Sequence, residues 1–228
     1  MSGVRRGERW EQPVDPTELA NVIEVVGSDV DLASAVERSP GRLLRFRPDV
    51  TSQLAATLGL GARGALVAAQ AGQVVAVDAL RVTLDTASPR IAVASVCCGI
   101  APDRTRAWHR RQAVEIAVGS RRARARVTGV VALNAQHHHD NRLVTSGHPG
   151  DGRFEVLWIG LAPGARAELR RRIPSGAHLP HPDIGQATGR SAVIEWPVAV
   201  PVALDGVAAG SARRVEIEVL GGVVRLLV

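Results

Sequence analysis

Between residues 21 and 70 the apolar positions change period from one segment to the next. Asn21 to Val26 (NVIEVV) is a short apolar run closed by Gly27, the pattern of a buried strand. Asp29 leads into DLASAVERS, whose acidic first turn and apolar spacing predict a helix. Arg42 to Phe46 (RLLRF) predicts a second strand, stopped by Pro48. Thr51 to Leu60 (TSQLAATLGL) offers an N-cap, helical spacing and Gly59 near its end. The segment therefore reads β-α-β-α. Upstream, a polar arm with Pro13 and Pro16 leads into a short helix from Asp15 or Thr17.

The character changes near Gly72. Val-rich runs of period two follow: Gln73 to Leu84, Arg90 to Val96, Ala125 to Leu133, Arg153 to Ile159, Ser191 to Leu204 and Arg213 to Val228. Only Arg104 to Val118 and Ala165 to Arg172 read as helical. VEIEVL and VVRLLV on either side of Gly221 and Gly222 predict a closing hairpin. Many short strands at close spacing point to an antiparallel sandwich or curled sheet. The expected fold class is α/β + β, with residues 1–71 as an α/β unit and 72–228 as a β-rich domain.

Composition narrows the chemistry. All 28 cations are Arg, with no Lys, so a Walker-type phosphate loop and Schiff-base chemistry are excluded. Tyr is absent as well, and aromatics make up 3% of the chain. The net charge of +6 suits anionic partners, either nucleic acid or lipid headgroups. Few rings are available to stack bases and no nucleic-acid motif is present, so nucleic acid is the weaker partner. Arg121, Arg122, Arg124 and Arg126, and Arg170 to Arg172, read as solvated charge on a strand face and a helix end. Cys97 and Cys98 are neighbours in an apolar run and read as buried, reduced thiols, which points to a cytoplasmic chain. No stretch is apolar enough to span a bilayer, so membrane contact would be peripheral.

Several short strings share an order. VVGSDVDLASAV places a turn at Gly27, Ser28, Asp29, Val30 and Asp31 between a strand and a helix. RPDVTSQLAATLGL has a second turn at Asp49 to Gln53. VVALNAQHHHDNRLVTSGHPGDGRFEV carries Asn134 and Asp151-Gly152, SGAHLPHPDI follows, and LDGVAAGSARRVEIEV carries Asp205-Gly206. In this order the strings resemble the diacylglycerol kinase family of lipid kinases, whose nucleotide half is shared with NAD kinases. There the corresponding elements are a GGDGT loop, a GTxND turn, a PDA-x-x-x-DG segment, a G-x-H element and a DGE turn. The resemblance runs from about Asn21 to Val228.

The resemblance implies roles and also marks departures. Gly27, Ser28, Asp29, Thr51 and Ser52 take the nucleotide-binding positions, but Ser28 and Val30 add side chains where glycines let phosphates approach. Val30, being β-branched, would be strained at positive φ. Val207 stands where the family has the glutamate taken as general base, and a valine cannot accept a proton. Asp205 is the acidic group left in that turn. The matched region starts about twenty residues into the chain, so a first β-α unit of the family is expected to be missing. Asp151 takes the position of a structural magnesium, with backbone carbonyls of His148 and Arg153 as further donors. Asn134, His137, His139 and His178 fall at a ligand pocket or its rim. Of the His137–His139 tract, His137 and His139 share a strand face, but the spacing favours a rim loop over a transition-metal site.

The resulting expectation is a lipid-kinase-like pseudoenzyme, with ATP use doubtful, that binds a lipid or phospholipid in the β-rich domain and lies in the cytoplasm or at the membrane periphery. Its small α/β unit leans on the β domain or on a second copy, as a homodimer. The rival readings are an active ATP-dependent lipid kinase and a non-enzymatic partner of a kinase paralogue.

Overall fold

The structure is a computed structural model of the chain; it describes residues 11–13, 16–60, 73–138, 141–144, 147–176 and 178–228. His139 and the 71/72 boundary lie outside the described residues. A short strand β1 (Glu11–Pro13) and one turn of helix α1 (Pro16–Leu19) precede β2 (Ile23–Gly27), α2 (Asp29–Arg38), β3 (Leu43–Pro48) and α3 (Gln53–Leu58). Then come β4 (Gln73–Leu84), β5 (Arg90–Ala92), β6 (Ser95–Gly99), β7 (Gln112–Val118), β8 (Arg121–Val127) and β9 (Gly129–Leu133). β10 (His137–His138), β11 (Asn141–Arg142), β12 (Phe154–Ile159), α4 (Arg166–Arg172), β13 (Ile184–Gly189), β14 (Ser191–Leu204) and β15 (Val207–Leu227) complete the chain.

The β-α-β-α reading of the first segment holds. β2 and β3 pair in parallel, as a right-handed crossover through α2 requires. Gly27 ends β2 at φ +130°, a conformation that a side chain resists. Gly59 takes φ +70° as the left-handed cap of α3. The rest is an antiparallel sheet in which β4, β15, β14, β6, β9, β12 and β13 follow one another side by side, with the β7–β8 hairpin on the flank of β14.

Three expectations need correction. Residues 104–118 are not a helix: a single 3-10 turn (Pro102–Arg104) and a loop lead into β7, whose alternating burial fits QAVEIAV between β8 and β14. The Gly221-Gly222 pair makes no hairpin. β15 runs on as one strand of 21 residues, and both of its halves pair with β4. Between Leu220 and Val224 the register shifts, so that Gly221 to Val223 bulge opposite Asp78. Val30 is not at positive φ either. It sits in the first turn of α2, and among described residues the only non-glycines with positive φ are Asp85 and Asp205.

At the bulge β15 changes neighbour. Before it, the strand pairs with β14; after it, Arg225 and Leu226 pair in parallel with Leu43 and Leu44 of β3. The parallel pair is thereby continuous with the large sheet. Its helices bury Leu32, Val36 and Leu54 against Phe46 and Val25, and the same cluster includes Val75, Val77, Val224 and Leu226 of β4 and β15. The α/β unit thus leans on the β domain, since two strands and two short helices bury too little surface by themselves. A second cluster fills the β domain around Ile116, Trp196 and Val215, and a third lies under α4 around Val131, Leu157 and Ile173.

Candidate functional site

The N-termini of α2 and α3 and the β14–β15 turn converge on one buried polar cluster. Asp29 opens α2 at 2% exposure. Its Oδ1 accepts the Ser52 hydroxyl at 2.5 Å, and its Oδ2 accepts the N–H groups of Gln53 (2.7 Å) and Leu54 (3.3 Å). Ser52 is the N-cap of α3, its Oγ accepting the Ala55 N–H. The carboxyl of Asp29 therefore occupies the N-terminus of α3, where an anion is favoured. Burial nevertheless pushes its pKa up to about 6, against the pull of those donors.

Asp31, the third residue of α2, reaches back to the N-cap of its own helix. The N–H and hydroxyl of Ser28 both donate to Asp31 Oδ2, at 2.8 and 2.9 Å. These donors hold the Asp31 carboxyl below the usual carboxylate range. The turn at Gly27 is closed over this contact: a Cβ built on Gly27 would collide with Asp31 Oδ2. Thr51 folds back onto Asp49, both its N–H and its hydroxyl donating to Asp49 Oδ1. Val50, beside it, is 97% exposed.

Asp205 and Gly206 are the two central residues of the β14–β15 turn, at φ +49° and +83°, the signature of a type I′ hairpin. The Asp205 side chain points inward and accepts the N–H groups of Val93, Ala94 and Ser95 at 2.8–2.9 Å. Burial, and then the charge of Asp29, raise its pKa to about 7. Ser95 donates to Gln53 Oε1 at 2.9 Å, and His138 Nδ1 lies 3.4 Å from Ser95 Oγ. Val207 begins β15 and is half exposed.

His138 also lines a cleft of about 630 Å³ between β6, the 99–109 segment and the β14–β15 turn. Cys97, Gly99, Ile100, Ala101 and Ala203 give it an apolar wall, and Arg104, Arg106, Trp108 and His109 form its other side. Burial pushes the Cys97 thiol up to about 12 and Cys98 higher, so neither is a nucleophile.

The remaining sequence candidates are scattered. Asn134 is buried and donates to the carbonyls of Asp78 and Val93, tying β4 to the β5–β6 junction. His137 Nδ1 lies 3.1 Å from the hydroxyl of Thr57 on α3, and burial lowers its pKa. His178 is buried with Nε2 3.0 Å from the Leu143 carbonyl, and His181 accepts the Asp183 N–H. Asp151 turns back to accept the Arg153 N–H at 2.9 Å, while its own N–H donates to the His148 carbonyl. Burial raises the pKa of Asp151. Among the described residues no three His, Cys, Asp or Glu gather as a metal cluster. Magnesium needs fewer: one or two carboxylates with carbonyls and water. Asp151 is one such carboxylate, and its charge adds to burial in raising the pKa of Asp78 to about 6. Both Asp78 oxygens already accept N–H groups, from Gly222 and Gly152, and Arg190 offsets its charge, so Asp151 is the carboxylate left to a cation.

No protein-family model matches the chain, and no curated protein matches it. Solved structures do. Two, described as "a putative diacylglycerol kinase" from Bacillus anthracis str. Sterne, superpose with TM-scores of 0.72 and 0.73 at 14% and 15% identity, over 90% of this chain and 77% of theirs. A third structure, of a diacylglycerol kinase from the same organism, gives 0.68 at 16% identity, over 90% of this chain and 75% of its own. The chain has the diacylglycerol kinase fold.

The sequence pointed to Asp29, Ser52 and Asp205 but missed Gln53, Ser95, His138 and Asp78. Asp78 had a readable signal. It is the one charged residue inside the Val- and Ala-rich run VVAVDAL, at 1% exposure.

Proposed function

We propose that the chain is a diacylglycerol-kinase-like protein, impaired in phosphoryl transfer, that binds a lipid or phospholipid in the cleft beside Cys97 and His138. One observation carries the impairment: at the turn matched to the GGDGT loop, Ser28, Val30 and Asp31 add side chains, and the Asp31 carboxylate is held there by the N–H and hydroxyl of Ser28. A Gly-rich turn before a helix is where backbone N–H groups reach phosphates. A triphosphate there would meet the Asp31 carboxylate and like-charge repulsion. ATP would supply the phosphoryl group in this fold, and the residues at the Gly27–Asp31 turn do not fit it.

The cleft supports the ligand class. Its apolar wall suits the glycerol and proximal acyl carbons of a lipid, its volume is that of a small-molecule site, and Arg104 and Arg106 at one side suit an anionic headgroup. His138, which lines the cleft, would offer a hydrogen-bonding group to a lipid hydroxyl. Asp151, with the backbone carbonyls of His148 and Arg153, is the residue that would hold magnesium.

A second reading, active lipid phosphorylation, has one observation in its favour. Asp29 and Asp205 are buried carboxyls with pKa values near 6 and 7, the range of a general base. Turnover of labelled ATP with dioctanoylglycerol separates the two. The proposal expects dioctanoylglycerol to bind with no turnover above background, and Asp31→Ser to raise ATP affinity by about tenfold through removal of one charge from the α2 terminus. Robust turnover by the wild-type protein sinks it.

A further inference from the structure

We propose that the 101–111 loop docks the protein on an anionic membrane surface, with Trp108 as its interfacial anchor. Trp108 is 76% exposed, the only aromatic among the large exposed hydrophobics of the described residues. An indole in water on a protein with almost no other rings needs a reason, and Trp is the side chain that settles at the headgroup level of a bilayer.

The loop that carries this ring is tied down by two side chains of α4. The guanidinium of Arg166, at 1% exposure, donates to the carbonyls of Arg106 (2.7 Å), Ala107 (3.2 Å) and His109 (2.5 Å), and its Nε donates to Leu161. Arg170 donates to the Thr105 carbonyl. A buried cation spent wholly on backbone carbonyls fixes the path of the loop on either side of Trp108. The side chain is therefore presented in advance, and docking loses little loop entropy.

Charge agrees with the same partner. Arg104, Arg110 and Arg111 are exposed around the ring. The acidic groups nearby are Asp103, half-buried in the loop, and Glu168 on α4, which is engaged by Arg171 and Arg172. The chain as a whole carries +6. Arg104, Arg106 and Trp108 also line the cleft, so docking on this loop sets the cleft against the bilayer from which its ligand would come. In that one respect the inference rests on the lipid-binding reading.

Sedimentation with phosphatidylcholine vesicles, with and without phosphatidylserine, tests it on the full chain. The expected result is binding only to the anionic vesicles, lost on raising salt. Trp108→Ala should weaken it by about tenfold, and Arg104→Glu with Arg110→Glu by at least as much, since each cation near such a surface is worth about 1 kcal/mol. All three positions are exposed, and unchanged thermal unfolding of the variants confirms that their folds are intact. Undiminished vesicle binding by both variants, or equal binding to neutral vesicles, overturns the inference. Dioctanoylglycerol binding in the absence of vesicles is measured separately. Its failure beside Trp108-dependent vesicle binding sinks the lipid cleft and leaves the docking loop standing. Its success without vesicle binding does the reverse.

Discussion

Asp205 combines two tasks that usually fall to different residues. Its backbone adopts the left-handed conformation that an Asp-Gly hairpin needs, and its carboxyl collects three backbone N–H groups inside the protein. The side chain is raised to about 7 when folded, against 3.8 for an unburied carboxyl. The folded state therefore holds a proton that the unfolded state releases between those two values. Stability from this group is full at low pH, falls as pH rises through that window, and is level above it. Asp29 adds to the slope in the same direction. Asp205→Asn retains an acceptor for two of the N–H groups and leaves the third unpaired, so it should cost about 1–3 kcal/mol at pH 5. It should also flatten the decline in melting temperature between pH 5 and 8, and an unchanged slope would remove Asp205 as its origin. Of this residue, the turn was legible from LDGV alone. The three donors were not, because Ser95 is 110 positions away and no local pattern announces it.

At the scale of elements, the bulge opposite Asp78 decides how the chain ends. Two apolar runs around Gly-Gly read as a hairpin, and by local rules that reading is sound. β4 overrides it: at 12 residues it is long enough to pair with both halves of β15, and Asp78 holds the excess chain. Its Oδ1 accepts the Gly222 N–H at 2.8 Å, and its Oδ2 accepts the Gly152 N–H at 2.6 Å. One carboxyl thus pins the bulge and the 147–153 loop together. Asp78→Ala leaves both donors without an acceptor and should cost about 2–4 kcal/mol in chemical denaturation. Faster hydrogen exchange at Gly152 and Gly222, with β7 and β8 unaffected, would locate the loss. The misread helix at 104–118 has a similar cause. QAVEIAV carries the period of a strand, but the polar run RTRAWHRR before it blurs the start, and its path is fixed by the distant Arg166. The parallel strands and their helices were legible because caps, Gly27 and Pro48 mark their ends locally.

For the whole molecule, the shared cluster of Leu32, Phe46 and Leu54 with Val77 and Val224 makes the two segments one folding unit. Calorimetry should give a single unfolding peak, and Trp fluorescence, which includes Trp158 and Trp196 in the β core, should lose signal together with far-UV helical signal from α2 and α3. Two separated transitions would contradict the shared core. The division of composition near Gly72 was visible in the sequence. That the two sides share one core was not, since it depends on which strand lies beside β3.

That strand lies far along the chain from the one it covers. β3 has β2 on one side and takes its second neighbour from Arg225 and Leu226, which pair with Leu43 and Leu44 across most of the sequence. Closing so long a loop costs entropy before the contact returns anything, so this pairing belongs to the slow, late part of folding. A change that weakens β15 after its bulge should therefore be felt first in the α/β segment, where Leu44 and Phe46 lose the surface that covers them.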